Sequence, residues 1–267
     1  LALLDDSWLD HALLRAREAA DAAAKVIARY HRKNIEVERK FDASPVTVAD
    51  RESEREIKRV LKCYFPDHGY YGEEYGQEQT NSEFLWLIDP IDGTKSFVRD
   101  CPFYSTQIAL QYQGELVLGV SSAPQYGEVA WARAGGGAYL NHERLSVSSM
   151  TCLDRAHLSL GNIQTLASDH RWSALSQLVR SVDRVRGYGD FCHYHLLARG
   201  CIDAVIESDV NILDIAALVV LVREAGGIFS DLEGRPIGLE TKSVIAAAPG
   251  LYDELRATMN LKVPSVR

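Results

Sequence analysis

Asp89 and Asp92 close the stretch Phe84-Leu85-Trp86-Leu87-Ile88-Asp89-Pro90-Ile91-Asp92-Gly93-Thr94, where the chain concentrates its chemistry. The apolar run 84–88 reads as a strand buried on both faces. Pro90 has no N–H and biases the preceding residue toward extended geometry, so the ladder is expected to end there. Asp92 then follows Asp89 across a tight turn. Gly93 lets the backbone approach a ligand with no Cβ in the way, and Thr94 adds a hydroxyl. Two carboxylates at the mouth of a buried strand are unfavourable unless a cation or partner neutralises them. Hard divalent cations such as Mg2+ prefer oxygen ligands of this kind. Without its surroundings, Asp-x-x-Asp-Gly reads equally well as an acidic strand-end turn.

Other acidic residues have ordinary readings of their own. Asp50 opens a helical pattern, a place where Asp serves as an N-cap. Glu73 sits in Gly72-Glu73-Glu74, and exposed Glu pairs are commonly just solvated. Asp214 opens an apolar helix that Gly226-Gly227 ends. Gly135-Gly136-Gly137 opens no evident helix and carries no P-loop Lys, so it reads as a structural bend. His193 and His195, two apart on a helix, face different directions and suit packing or hydrogen bonding rather than a metal.

The elements that must position these residues follow from periodicity. A helix is expected over 8–30, an extended segment over 34–40, and a second helix from Asp50 with Ile57, Val60, Leu61 and Tyr64 on one stripe. Residues 77–82 are polar and aperiodic, a surface loop by expectation. Residues 107–133 alternate as antiparallel strands. From about 150 the rhythm becomes strand and helix in turn: strands over 156–160 and 202–207, helices over 172–182 and from Asp214 and Gly250. The expected organisation is an N-terminal α+β half, 1–150, holding the acidic signature, and a C-terminal α/β half, 151–267, completing the site.

Composition sets broad limits. With 267 residues, 46% hydrophobic and 25% charged, the chain has the make-up of an ordinary globular protein with a sizeable core. A net charge of −8 argues against a broad nucleic-acid surface. The five cysteines are scattered and lack C-x-x-C spacing, so they are expected to be reduced, mostly buried thiols in a cytoplasmic protein. No apolar run reaches membrane-spanning length, and the N-terminus alternates apolar with charged residues, unlike a signal peptide.

Asp89-Pro90-Ile91-Asp92-Gly93-Thr94 resembles the signature of the inositol monophosphatase superfamily of magnesium-dependent, lithium-sensitive phosphatases. Three further matches fall in the family's order: Val46-Thr47-Val48-Ala49-Asp50, Gly72-Glu73-Glu74, and Asp214-Ile215-Ala216-Ala217 with Glu224-Ala225-Gly226-Gly227. The resemblance implies a five-layer α-β-α-β-α sandwich, as in inositol monophosphatase-like and fructose-1,6-bisphosphatase-like phosphatases, and a homodimer. It implies two or three Mg2+ per active site, replaceable by Mn2+. Glu73, Asp89 and the Ile91 carbonyl would hold the first metal, and Asp89, Asp92 and Asp214 the second. A water held by metal, Glu73 and Thr94 would attack phosphorus in line, with Asp50 polarising Thr94 and the Gly93 and Thr94 amides cradling phosphate oxygens.

Ser44-Pro45-Val46-Thr47, Gly93-Thr94-Lys95-Ser96-Phe97 and the run from Gly187-Tyr188-Gly189-Asp190-Phe191 through Asp203 to Glu207 look most like the histidinol-phosphate phosphatase branch, which serves histidine biosynthesis. Acidic Asp190 and Glu207 would suit the ammonium and imidazole of histidinol. Leu213 departs from the Trp that commonly precedes the second metal-binding Asp. An inositol-1-phosphate, sugar or nucleotide phosphatase on the same core is the alternative. A non-catalytic metal- or phosphate-binding protein on this fold is the alternative of another class. Loss of a metal carboxylate would favour the latter, and none is missing.

Overall fold

Helix α1 (Asp6–Tyr30) follows from its alanines. Ala12, Ala16, Ala19, Ala20 and Ala23 recur at three- and four-residue steps with Leu9, Leu13 and Ile27, and all are buried. Alanine is the strongest helix former, and a face of methyl groups lets the helix lie close to what it covers. Asp5 caps the first turn by accepting from the Ser7 amide. The structure is a computed structural model, described over residues 4–33, 37–39, 45–79, 81–168 and 170–260. It divides into two compact units, Leu1–Glu143 with Leu213–Leu221 and Arg144–Ile212 with Val222–Arg267.

In the first unit, β1 (Val37–Arg39) and β2 (Pro45–Thr47) pair antiparallel. The expected extended segment 34–40 is thus met at 37–39; its other residues, and Ser44, lie outside the described ones. Helix α2 (Val48–Lys62) begins before Asp50. Thr47, not Asp50, is the N-cap, and Asp50 is the return half of a capping box. The strands β3 (Gly69–Gly72), β4 (Gly76–Glu78) and β5 (Phe84–Asp92) follow. A one-turn helix α3 (Thr94–Phe97) precedes β6 (Ser105–Tyr112), β7 (Glu115–Ala123), β8 (Glu128–Arg133), β9 (Gly137–Leu140) and β10 (Glu143–Arg144). They form one eight-stranded sheet in the order β10-β9-β8-β7-β6-β5-β3-β4, antiparallel in its central pairings except β3 with β5.

The expected loop at 77–82 is therefore corrected at its start. Gln77 and Glu78 belong to the edge strand β4, which sequence disguised because an edge strand is polar and short. Trp86, Ile88, Ile108, Leu110, Leu118 and Val120 alternate along the strands and pack against the alanine face of α1 and against Ile57 and Leu61 of α2. Helices on a largely antiparallel sheet are what the alternation in this half led one to expect.

The second unit holds β11 (His157–Gly161), α4 (Ile163–Ser168), α5 (Trp172–Ser181), β12 (Arg184–Arg186), α6 (Asp190–Ala198), β13 (Ala204–Ser208), β14 (Ile228–Ser230), β15 (Ser243–Ala247) and α8 (Pro249–Met259), with α7 (Ile212–Glu224) following β13 in the chain. Its sheet runs β12-β11-β13-β15-β14, with β11 parallel to both β12 and β13 and the β15 pairings antiparallel. Leu158, Leu160 and Ile206 face Leu175, Leu178, Leu251 and Leu255 of the helices. The middle of α7 groups with the first unit. Gly226, at φ +90°, lets the chain leave α7 in the left-handed region.

Among the described residues no helix is long and apolar enough to cross a membrane. The five cysteines are thiols, as expected, but not mostly buried: Cys63, Cys152 and Cys201 are exposed and Cys101 and Cys192 half-buried. Cys63 ends α2, and Cys152 and Cys201 lie between elements, where no apolar stripe reaches.

Candidate active site

The end of β5 departs from a regular strand. Its pairing with β6 holds to Asp89 opposite Gln107 and resumes at Asp92 opposite Ser105, so Pro90 and Ile91 together oppose Thr106 alone. The ladder does not stop at Pro90 as expected; it bulges there, which tolerates a residue without an N–H. Residues three apart on a regular strand point to opposite faces, and the extra residue returns Asp92 to the side of Asp89. The Ile91 amide donates to Asp89 Oδ1 at 2.9 Å, and the Thr106 hydroxyl donates to the Pro90 carbonyl at 2.8 Å.

Helix α7 brings the third carboxylate. Leu87, Ala109 and Gly119 share one face of the sheet by register, and the small residues leave room for a helix backbone. A Cβ on Gly119 would come within 2.4 Å of the Ala217 carbonyl oxygen and 2.8 Å of its Cα. Asp214 lies one turn before Ala217. One carboxylate oxygen from each of Asp89, Asp92 and Asp214 lies within 4.8 Å of the other two. Asp89 and Asp92 are buried, at 2% and 8% exposure.

Asp50 and Thr94 meet at this end of the sheet. Asp50 is fully buried; its Oδ2 accepts from the Thr47 amide at 2.8 Å and the Thr47 hydroxyl at 2.6 Å. Its other oxygen lies 3.1 Å from the Thr94 hydroxyl, which is also 2.9 Å from the Ile91 carbonyl. Glu73 is fixed by its amide, which donates to Ile88 one residue before Asp89, at 3.1 Å. Burial, then the charges of Glu73, Asp92 and Asp214, push the Asp89 carboxyl well above its ordinary range. Burial also raises Asp50, against the pull of its Thr47 and Thr94 hydrogen bonds.

The acidic cluster beside a capped Asp–Thr pair coincides with a match along nearly the whole chain: the model of the inositol monophosphatase family fits residues 8–262. This chain belongs to the inositol monophosphatase family. A histidinol-phosphatase of Mycobacterium tuberculosis is 37% identical over 254 residues, covering 93% of this chain and 97% of that protein. One from Streptomyces coelicolor is 36% identical over 266 residues, covering 96% and 97%. The solved inositol monophosphatase of Anabaena (Nostoc) sp. PCC 7120 superposes with a TM-score of 0.83 at 27% identity, over 97% of this chain and 98% of that one. The α+β / α/β sandwich class expected from the sequence is that of these relatives, and the chain is a phosphoric monoester hydrolase.

Members of this family are generally metal-dependent, and the residues of this phosphatase fit a cation. Its donor set is all oxygen, and Asp89 is driven toward its protonated form by burial and by acidic neighbours whose charge a cation would neutralise. At the start of α3, Gly93 has φ +88° and a Cβ there would meet the Phe103 carbonyl oxygen at 2.6 Å, so glycine is required.

The sequence reading missed three buried polar supports of this phosphatase. The Ser105 hydroxyl donates to Asp92 Oδ2 at 3.2 Å, and Gln107 Nε2 reaches Ser105 at 2.7 Å and Ser121 at 3.0 Å. All three are buried. The available signal was their polarity inside a strand whose neighbours are apolar.

In the second unit of this phosphatase, Glu207 of β13 is buried and accepts at Oε2 from Tyr194 at 2.7 Å, with His193 Nε2 3.1 Å away. His193 Nδ1 lies 3.3 Å from the Ser159 hydroxyl. His193 thus serves hydrogen bonding, as its spacing from His195 implied, while the His195 ring packs edge-on to Phe191 at 5.1 Å. Asp190 begins α6 with φ +46°, half-buried. Asp203, part of the same run, accepts from the Ser148 hydroxyl and from the His157 amide at 2.7 Å, tying down the start of β11. Leu213 is buried beside Asp214.

Proposed function

We propose that this chain is a Mg2+-dependent phosphomonoesterase that hydrolyses L-histidinol phosphate to L-histidinol and phosphate. The observation that carries the phosphatase chemistry is the meeting of Asp89, Asp92 and Asp214 beside Asp50 and Thr94. Glu73, Asp89 and the Ile91 carbonyl would hold one Mg2+, and Asp89, Asp92 and Asp214 a second. When bound, the cations supply positive charge to the attacking and departing oxygens of an in-line displacement.

The chain's own groups prepare that displacement. The Thr94 hydroxyl has one proton, and Asp50 or the Ile91 carbonyl takes it as a hydrogen bond. Its lone pairs are thereby left to accept from a water, which the Glu73 carboxylate also orients. Water so held is turned toward phosphorus before reaction, which removes an orientational barrier. The amides of Gly93 and Thr94 open α3 and have no partner within the helix, so they are available to phosphate oxygens.

Histidinol phosphate is supported by the histidinol-phosphatase relatives and by the buried acidic Glu207, which with Asp190 would receive the substrate's ammonium. A charge-assisted hydrogen bond is worth about 1.5–3 kcal/mol, an ionic component that a neutral polyol lacks. The second reading is inositol 1-phosphate, favoured by the Anabaena structural relative. Phosphate release from histidinol phosphate, inositol 1-phosphate and a 3′-phosphonucleotide decides between them. We expect the highest kcat/KM for histidinol phosphate, and expect Glu207→Gln to erode that preference while leaving the Mg2+ requirement in place. Faster hydrolysis of inositol 1-phosphate by the wild type moves the choice to the second reading. Activity in excess chelator contradicts the metal mechanism, whereas indifference to Li+ weakens only the expected lithium sensitivity. Sedimentation tests the expected homodimer.

A further inference from the structure

Glu54 is fully buried on α2, one turn beyond Asp50, and the chemistry above makes no use of it. Its Oε2 accepts from the Glu74 amide at 2.6 Å, and its Oε1 from the Tyr75 amide at 3.3 Å. These are the two residues after Glu73, in the turn that joins β3 to β4. On the other side of Glu73, Gly72 makes space for the same carboxylate, since a Cβ there would sit 1.8 Å from Glu54 Oε1. The charge is matched one turn further on. Lys58 Nζ lies 2.7 Å from Glu54 Oε1 and 3.0 Å from Glu78 of β4, and Lys62 takes the other Glu78 oxygen. Arg55 donates to the Tyr75 hydroxyl at 2.9 Å, closing the turn onto the helix.

A buried carboxylate persists where its oxygens and charge are satisfied, and here the partners are the backbone of the Glu73 turn and one buried lysine. Glu73 brings its negative charge close to two other carboxyl groups, and its charge raises both Asp89 and Asp50, after burial in each case. Repulsion favours swinging the turn away from Asp89. The Ile88 carbonyl holds the Glu73 amide, and Glu54 holds the next two amides.

We propose that Glu54 is a positioning residue of this phosphatase: anchored by Lys58, it holds the turn that carries Glu73 against Asp89. The inference rests on the role given to Glu73 under Proposed function. One helix then sets both water-orienting groups, Asp50 on Thr94 from its first turn and Glu54 on the Glu73 turn from its second.

The test combines steady-state kinetics with calorimetric Mg2+ binding for Glu54→Gln, Glu54→Asp, Glu73→Gln and the double variant Glu54→Gln/Glu73→Gln. Glutamine turns an N–H2 toward one amide and no longer matches Lys58; aspartate keeps the charge but withdraws its oxygens by one methylene. Both are expected to lower kcat about tenfold to a hundredfold, the range a misplaced group commonly produces, with KM nearly unchanged and weaker Mg2+ binding. In the Glu73→Gln background, Glu54→Gln is expected to add no further loss in kcat, because it acts through Glu73. Wild-type kcat and Mg2+ affinity in both Glu54 variants, with Glu73→Gln impaired, overturn this inference alone. Additive losses in the double variant overturn it as well. An unimpaired Glu73→Gln overturns the role of Glu73 and this inference with it. If Glu54→Gln does not fold, Glu54→Asp and Gly72→Ala, whose Cβ displaces the same carboxylate, carry the test.

Discussion

Burial and the charges of three acidic neighbours all act against the ionised form of Asp89. Stability and function therefore pull in opposite directions at this residue. Removing one neighbouring charge by Asp92→Asn relieves the repulsion when no cation is present, while the amide oxygen still accepts from Ser105. In excess chelator the variant is expected to melt above wild type, by roughly 2–4 °C for about 1 kcal/mol of relief in a chain of this size. Saturating Mg2+ should reverse the order, since a ligand that binds the folded state stabilises it and the variant binds it poorly. Turnover should fall by several orders of magnitude. Thermal melts of both proteins in chelator and in Mg2+, with one kinetic assay, check all three outcomes. A lower melt for Asp92→Asn in chelator refutes the repulsion argument, and near-wild-type turnover in Mg2+ removes Asp92 from the metal site.

At the scale of elements, the cluster depends on how closely α7 lies on β7. Gly119 permits that approach, and Gly119→Ala would force a methyl against the Ala217 backbone. Backbone cannot rotate out of the way, so α7 must shift, at about 1–3 kcal/mol of overpacking. Asp214, one turn from Ala217, moves with it. The expected result is a lower melting temperature and a higher Mg2+ concentration for half-maximal activity, read by melts and a Mg2+ titration of rate. A variant that melts lower with an unchanged Mg2+ requirement would separate the packing of α7 from the placement of Asp214. This contact shows where sequence reading stops. The helix at 8–30, the apolar helix of Asp214 (which starts at Ile212 and not at Asp214) and the strand 84–88 were legible because apolar patterning encodes burial of a single element. The β5 bulge, the capping role of Thr47 and the fit of Gly119 under Ala217 were not, because each depends on a partner distant in sequence or on one residue of register. Glu54, Lys58 and Lys62 stood at four-residue spacing in plain view, yet nothing local distinguished them from a solvated helix face.

Across the whole molecule, acid stability is set by groups that work against each other. His68 is packed among Phe65, Phe84, Trp86 and Trp8, nearly parallel to Phe84 at 4.5 Å, and its Nδ1 accepts from Trp86 Nε1 at 3.0 Å. A second proton would occupy the nitrogen that serves as acceptor and place charge among the rings. Burial accordingly lowers its pKa from 6.5 to about 4. The unfolded imidazole takes its proton near the ordinary value and the folded one only near the lowered value. Between them the unfolded state binds more protons, so the contribution of neutral His68 is complete above the ordinary value and is lost as pH falls toward the lowered one. Asp89 and Asp50 have raised values, so in chelator their contribution is present in acid and lost as pH rises. A melting curve of the wild type alone sums both. His68→Asn separates them, because the amide oxygen takes over from Nδ1 as acceptor for Trp86 and does not titrate. The wild type's melting advantage over His68→Asn is expected to be largest above pH 6.5 and to shrink steadily toward pH 4. A difference that stays constant across that window would assign the loss of stability in acid to other groups.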